Sequence, residues 1–202
     1  MRENPTSEYL EVSLGEFLDL VASDRPAPGG GSVAAIAVAL AAGLAGMAAR
    51  LSSDQLSDAA GLADRADALR QRVAPLAAAD AESYARVLDA YRLPDPDSRR
   101  ERVGDALSGA ADVPLAVAEV GYEIAGIASS LAERGNPNLR GDALTALLLA
   151  EAGVRAAAAL VGINLSTANL EDDRLERADE LVDETAAIVR RDTKGWGRGT
   201  AL

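Results

Sequence analysis

The 202-residue sequence contains no cysteine, no histidine and a single lysine, Lys194. The absence of cysteine excludes disulfides, thiolate catalysis and iron–sulfur clusters, and it is compatible with a reducing cytoplasm. The absence of histidine removes the commonest metal ligand and the usual proton shuttle at neutral pH. Acid–base chemistry must therefore come from Asp, Glu, Tyr, Arg or Lys194, and we predict no metal site.

Aromatic residues are also scarce, at 3% of the chain, although hydrophobic residues make up 49%. The apolar content is mostly Ala, Leu and Val, and Ala and Leu are strong helix formers. This composition favours an all-α fold. Basic residues are outnumbered by acidic ones, for a net charge of −12, so we predict that the protein binds neither nucleic acid nor an anionic membrane surface.

One uncharged segment, residues 32–49, approaches the length of a membrane span. It consists mainly of Ala and Gly, with no aromatic belt and no basic flank. We therefore predict a buried core helix. The N-terminus lacks the basic-then-apolar order of a signal peptide, and a cytoplasmic location is predicted.

The hydrophobic pattern predicts an up-and-down bundle of about six helices, several of them long. No strand signal or internal repeat is present. Pro75 is expected to kink or break the third helix and Pro114 to kink the fourth, because proline cannot donate a helix hydrogen bond. We predict a single domain, 1–202, with a core at 13–192 and loose termini unless Trp196 docks. The predicted helices span 13–22, 31–53, 55–92, 97–133, 140–163 and 171–191.

Several predicted helices are rich in alanine on more than one face. Such helices have apolar surface beyond what a single core needs. A homodimer formed through helix faces is therefore expected.

Asp80 stands out in the apolar stripe of the third helix, which runs through Leu69, Val73 and Leu76 and reaches Tyr84. A carboxylate on such a stripe should have a raised pKa unless it is paired. A raised pKa suits general acid–base catalysis. The alternatives are a buried ion pair with an arginine, or a register shift at Pro75 that turns Asp80 outward.

A glycine-rich run precedes the second helix. Main-chain N–H groups and a helix N-terminus can bind a carboxylate or phosphate there. The glycine-to-lysine spacing of a nucleotide-binding loop is absent. The alternative is a flexible turn with Ser32 as the helix cap. The residues are Pro28, Gly29, Gly30, Gly31 and Ser32.

Asn136 and Asn138 flank Pro137, and their amides could hold a heterocycle or simply cap the fifth helix. Asp142 is a candidate site residue, although its position in the first turn of that helix also suits the helix dipole. Asn164 continues the stripe of the fifth helix beyond Val161, as either a cap or a site residue.

Four segments, in this order, resemble the formiminotransferase-cyclodeaminase C-terminal domain family, which includes bacterial methenyltetrahydrofolate cyclohydrolases. The similarity covers roughly 14–165. The matching segments are 27–35 (APGGGSVAA), 80–84 (DAESY) with 90–94 (AYRLP), 113–115 (VPL), and 135–138 (GNPN) with Asp142 and 162–165 (GINL).

The resemblance implies an all-helical dimer that binds tetrahydrofolate derivatives, with no cofactor beyond that substrate. Family members either hydrolyse 5,10-methenyltetrahydrofolate to 10-formyltetrahydrofolate or cyclise 5-formiminotetrahydrofolate with release of ammonia. The family's acid–base aspartate matches Asp80. The resemblance also implies substrate-binding roles for Tyr84, the glycine run, Asn136, Asn138, Asp142 and Asn164.

The sequence departs from the family where a lysine-rich stretch usually follows the second helix, because 52–57 reads SSDQLS. This loss implies weaker binding of anionic polyglutamate tails, a shifted substrate or lost activity. The alternative function is thus a non-catalytic folate-binding protein or helical scaffold. No transferase domain is attached, which weakens the cyclodeaminase alternative. The sequence does not choose between hydrolysis and cyclisation.

Overall fold

A computed structural model describes residues 9–194. Within this range the chain forms eight α-helices and a short 3₁₀ turn, with no strand. The predicted all-α fold is confirmed. Trp196 lies outside the described residues. The helices are α1 (Leu14–Val21), α2 (Gly30–Arg50), α3 (Ala59–Val73), α4 (Leu76–Tyr91), α5 (Pro96–Ala110), α6 (Asp112–Arg134), α7 (Arg140–Thr167) and α8 (Asp173–Asp192), and the 3₁₀ turn is Pro137–Leu139.

The eight helices correspond to the six predicted ones, because α3 with α4 and α5 with α6 each form one interrupted helix. The first interruption is at Pro75, as predicted. The second falls at Ala111, three residues before the predicted kink at Pro114. Proline at 114 has no N–H for the carbonyl of Ala110, so the regular helix already ends at Ala110.

That orphaned carbonyl is satisfied from another helix. The side-chain amide of Asn164, on α7, donates to the Ala110 carbonyl at 2.9 Å. Beside it, Arg174 of α8 donates to the Ser108 carbonyl at 2.8 Å and to the Asp112 carboxylate at 2.6 Å. The α5–α6 interruption is therefore held by hydrogen bonds from α7 and α8.

The centre of the bundle is α2, which packs on α3, α4, α6 and α7. Small residues allow this close approach. A side chain at Gly153 on α7 would meet the Val38 Cγ2 atom at 2.4 Å, and one at Gly121 on α6 would meet the Val154 Cγ2 atom at 2.6 Å. Alanine-rich helices with glycine at the crossings therefore form a core that contains few large side chains.

The buried stripe of this interrupted helix continues across Pro75. It passes through Leu69 and Val73 on α3 and then through Ala77 and Ala81 on α4, rather than through Leu76 as the sequence pattern predicted. Asp80 therefore lies at the edge of the buried face, half-buried. The side chain is turned neither into the core nor into open solvent.

Three helical stretches are long and apolar enough to cross a membrane, judged by length and composition alone: Gly30–Arg50, Pro96–Arg134 and Pro137–Thr167. The first is α2, which is surrounded by four other helices of the bundle. The expectation of a cytoplasmic protein that does not contact membranes stays a prediction.

Candidate functional site

Asp80 on α4 reaches the N-terminus of α2. The Ser32 N–H donates to the Asp80 Oδ2 atom at 2.9 Å. The Ser32 hydroxyl lies 3.3 Å from the same oxygen but donates its one hydrogen to the Ala77 carbonyl, at 2.7 Å. Among the described residues no donor contacts the Asp80 Oδ1 atom, so this oxygen is available to a ligand.

The glycine at position 31 makes this approach possible. A Cβ atom there would lie 2.0 Å from the Asp80 Oδ1 atom and 2.4 Å from the Asp80 carboxyl carbon. The carboxylate therefore occupies the space that any other residue would fill. Asp80 and the glycine run, which the family resemblance implies as site residues, are therefore adjacent in the structure, and Gly31 is required for this contact.

The surroundings of Asp80 raise the pKa of its carboxyl group above the ordinary value of 3.8. Burial is the main cause, because it disfavours the charged form. The contacts with Ser32 act in the opposite direction and only partly offset it. No arginine or lysine among residues 9–194 forms a salt bridge with Asp80, so the buried ion pair considered for it is not found.

Asp80 faces a cavity of about 220 Å³ between the glycine run, α4 and α7. Five of the predicted site residues line this cavity: Asp80, Tyr84, Gly29, Gly30 and Gly31. Ser32 lies directly behind, bonded to Asp80. Pro28 is buried on the other side of the loop, in a groove with Val33 and Ala152. The cavity is completed by Pro26, Ala27, Ala81 and Leu160.

Two residues near Asp80 carry no signal in the sequence. Leu160 of α7 lies off the buried stripe of its helix, and only the helix packing brings it to the cavity. Tyr9 precedes α1 and is buried against Phe17, with ring centroids 5.9 Å apart. Burial and, secondly, the negative charge of Asp80 raise the pKa of the Tyr9 hydroxyl. Tyr9 therefore belongs to the electrostatic surroundings of Asp80.

Asn136, Asn138 and Asp142 lie at the opposite end of the bundle. The Asn136 side chain donates to the carbonyl of Leu51, at the C-terminus of α2, at 3.0 Å. Its main-chain N–H donates to the Ser52 hydroxyl at 2.9 Å. Because α2 has 21 residues, its two ends lie roughly 30 Å apart. One protomer therefore does not bring these three residues to Asp80.

Within this group the contacts of Asn136 are those of a cap. Its Oδ1 atom accepts from the main-chain N–H of Asn138 at 3.0 Å, at the start of the 3₁₀ turn. Asp142 lies in the first turn of α7, and none of the hydrogen bonds or salt bridges of residues 9–194 involves its side chain. A substrate-binding role for these residues stays a prediction.

Asn164 is committed to the Ala110 carbonyl through its amide nitrogen, and it does not line the cavity at Asp80. Its predicted role in substrate binding also remains untested. Among residues 9–194 no three acidic side chains cluster closely enough to hold a metal ion. The chemistry that the cavity itself can offer is proton transfer by Asp80 beside the positive end of α2.

Comparison with known proteins places this geometry in a family. Residues 13–184 match the profile described as formiminotransferase-cyclodeaminase. The chain is 34% identical over 189 residues to the methenyltetrahydrofolate cyclohydrolase of Methylorubrum extorquens, covering 87% of this chain and 91% of that one.

It is also 32% identical over 185 residues to the formimidoyltransferase-cyclodeaminase of Rattus norvegicus, but spans only 33% of that protein's length. Among solved structures, formiminotetrahydrofolate cyclodeaminase from Thermotoga maritima superimposes with a TM-score of 0.82 and 30% identity, covering 92% of this chain and 96% of that one.

Proposed function

Because the chain belongs to the formiminotransferase-cyclodeaminase family, we propose that it is a one-carbon tetrahydrofolate enzyme whose acid–base residue is Asp80. The observation that carries this proposal is the Asp80 carboxylate over Gly31, with one oxygen bonded to the Ser32 N–H and the side chain lining a cavity. No cofactor beyond the tetrahydrofolate substrate is proposed.

The primary reaction is hydrolysis of 5,10-methenyltetrahydrofolate. The one-carbon unit of this substrate is part of an electrophilic amidinium, so the enzyme has to orient a water molecule and move protons. The ionised Asp80 takes a proton as water adds to the amidinium carbon. It then returns this proton to the ring nitrogen as the carbon–nitrogen bond breaks. The added hydroxyl group loses its own proton to solvent as it becomes the formyl carbonyl, which leaves 10-formyltetrahydrofolate.

Cyclisation of 5-formiminotetrahydrofolate is the second candidate. The structural similarity to the Thermotoga maritima cyclodeaminase favours it, as the Methylorubrum extorquens relative favours hydrolysis. The same carboxyl group would protonate the departing ammonia. Tyr84, half-exposed on α4 one turn after Asp80, offers an aromatic face to the flat ring of either substrate.

The near-ultraviolet absorbance band of methenyltetrahydrofolate tests the proposal, because it disappears on hydrolysis. We expect Asp80→Asn to lower kcat by about 10²–10⁴-fold, the usual contribution of a general acid–base group. The control is Asp89→Asn, which removes an exposed carboxylate from the same helix and should leave kcat unchanged. Full activity of Asp80→Asn would refute the role of Asp80.

The wild type also tests the alternative functions. Tight binding of the substrate without turnover would favour a folate carrier, and the absence of binding would favour a scaffold.

The active form is proposed to be a homodimer formed through α2 and α7. Helix α7 exposes apolar residues as well as polar ones, and Ile163 is 57% exposed. Its exposed positions follow one face, at Ala152, Ala156 and Ile163. On α2, Val33 and Leu40 are 39% and 61% exposed. The two faces adjoin along a groove of about 520 Å³, and a second copy of the chain would cover them.

A further inference from the structure

We propose that Arg99 and Arg100 of α5 bind the glutamate carboxylates of the folate substrate, at the far end of a groove that begins at Asp80. This inference rests on the proposed function, since it assigns the anionic end of the same substrate. The two arginines would form a second part of the binding site and would decide the preference for the glutamate tail.

The first observation is a cavity of about 620 Å³ bounded by the end of α4, by α5 and by the C-terminal end of α7. Among the described residues that line it, the charged ones are Arg99 and Arg100. The whole chain carries a net charge of −12, so a cavity with arginines and no carboxylate is a local exception. Arginine suits carboxylate ligands because its planar donors match the two carboxylate oxygens.

The second observation is that this cavity and the one at Asp80 share the same two helices. Tyr84 of α4 and Leu160 of α7 line the cavity at Asp80, whereas Tyr91 of α4 and Thr167 of α7 line the arginine cavity. Helices α4 and α7 both pack on α2 and α6 but are not closely packed on each other. A ligand that lay along both helices from Asp80 would therefore extend towards the arginines.

The dimensions agree with one extended ligand. At 1.5 Å per residue, Tyr91 lies about 16 Å along α4 from Asp80, and Thr167 about 10 Å along α7 from Leu160. In a folate, one benzene ring and one amide bond separate the one-carbon centre from the first glutamate, roughly 10 Å by ordinary bond lengths. Tyr84 and Tyr91 are 45% and 50% exposed on the same face of α4, where they can contact that ring.

The third observation is the position of the arginines themselves. Arg99 donates to the carbonyls of Leu93 and Pro94, at 2.6 Å and 3.0 Å, and these bonds hold its guanidinium in place. Arg100 is exposed, and neither arginine forms a salt bridge within residues 9–194. The cavity at Asp80 has no cation among its described lining residues, and 52–57 reads SSDQLS where the family usually carries lysines.

The test compares methenyltetrahydrofolate with methenyltetrahydropteroate, which lacks the glutamate. Arg100→Gln should raise KM for the glutamate-bearing substrate about tenfold, the loss of one charge-assisted hydrogen bond. It should leave kcat and the KM of the pteroate unchanged. Arg102→Gln is the matched control, because Arg102 lies on the same helix but lines a different cavity; both KM values should stay as in the wild type.

Arg25→Gln is a second comparison, because Arg25 directly precedes Pro26, which lines the Asp80 cavity. The proposal is overturned if Arg25→Gln, and not Arg100→Gln, removes the preference for glutamate. It is also overturned if Arg100→Gln affects both substrates equally or acts no differently from Arg102→Gln.

Equilibrium binding to Asp80→Asn separates this proposal from the proposed function. If the wild type shows no turnover, the enzyme proposal fails. The tail site would still be supported if the glutamate-bearing compound binds the Asp80→Asn, Arg100→Gln double variant more weakly than it binds Asp80→Asn. Equal binding to both variants would overturn it, as would no binding of either compound.

Discussion

At the scale of single residues, Asp80 caps the N-terminus of α2, a role that is normally filled by the residue just before the helix. The N-cap of α2 is Gly29, which has no side chain to accept a hydrogen bond. The third N–H group of the helix, that of Ser32, is instead accepted by Asp80 from α4. The residue proposed for catalysis thus also stabilises the start of the central helix.

A negative charge on Asp80 suits its proposed role in catalysis but lowers the stability of the fold. Burial raises the pKa of the carboxyl group in the folded state, so protonation favours folding. That favourable contribution is complete below the unfolded-state value of 3.8 and is lost as pH rises through the folded-state pKa. Ionised Asp80 is therefore a cost to stability at neutral pH.

We predict that Asp80→Asn is more stable than the wild type at pH 7, because asparagine keeps the acceptor for Ser32 without the buried charge. A gain of about 1 kcal/mol in the free energy of unfolding, or roughly 2–4 °C in Tm, is expected for a chain of this length. Thermal unfolding between pH 3 and pH 8 would measure it, and the difference between the two proteins should vanish at the acid end.

Asp89→Asn is again the matched control. Asp89 is 72% exposed on α4, so its replacement should not reproduce the pH-dependent gain. A wild-type protein that is more stable than Asp80→Asn at pH 7 would contradict the prediction, because it would mean that the hydrogen bonds from Ser32 outweigh the effect of burial.

Part of the site could be predicted at this scale. Asp80 is recognisable because a carboxylate interrupts an apolar stripe, and its approach to the glycine run follows from the resemblance. Leu160 and Tyr9 could not be predicted, because both are ordinary apolar or aromatic residues in their local sequence. Only the packing of α7 and of the segment before α1 brings them near Asp80.

At the scale of helices, the interruption between α5 and α6 depends on a residue that the sequence suggested for the site. Pro114 leaves the Ala110 carbonyl without its helix partner, and Asn164 supplies the hydrogen bond. A buried carbonyl without a partner costs free energy. The contact therefore gives Asn164 a role in folding that does not require substrate.

We predict that Asn164→Ala lowers the free energy of unfolding by about 1–3 kcal/mol, the cost of an unsatisfied polar group, and leaves KM unchanged. In a Pro114→Ala background the loss should shrink, because alanine at that position has an N–H that can bond to the Ala110 carbonyl. A double-mutant cycle by chemical denaturation measures this coupling. Unchanged stability together with a raised KM would instead make Asn164 a substrate ligand.

The number and order of helices could be predicted from periodicity and from the two prolines. The residues at which the helices begin and end could be predicted less well. The pattern predicts a third helix from residue 55, whereas the helix begins at Ala59. The segment before it forms turns anchored on Ser52, whose hydroxyl binds the Ala48 carbonyl and the Asn136 N–H. That last partner is distant in sequence, so periodicity alone could not place the boundary.

At the scale of the whole molecule, the predicted site residues form two groups at opposite ends of the bundle. The sequence did not reveal this separation, because it depends on the antiparallel course of α2 and α7, whose crossing brings Gly153 next to Val38. A proposed homodimer with its two-fold axis at the middle of α7 would bring the two groups together. Such an interface would place one protomer's Asp142 near its partner's Asp80.

This arrangement predicts that mixing two inactive variants restores enzymatic activity. The Asp142 side chain forms no hydrogen bond or salt bridge within residues 9–194, so Asp142→Asn should fold normally yet lose activity. Mixing it with Asp80→Asn, after reversible dissociation, would form heterodimers in which one of the two sites contains both native aspartates. We expect each heterodimer to recover about half of the wild-type dimer's activity, because one of its two sites is intact. Cleanly folded heterodimers without activity would overturn the shared site, and full activity of Asp142→Asn alone would remove Asp142 from the mechanism.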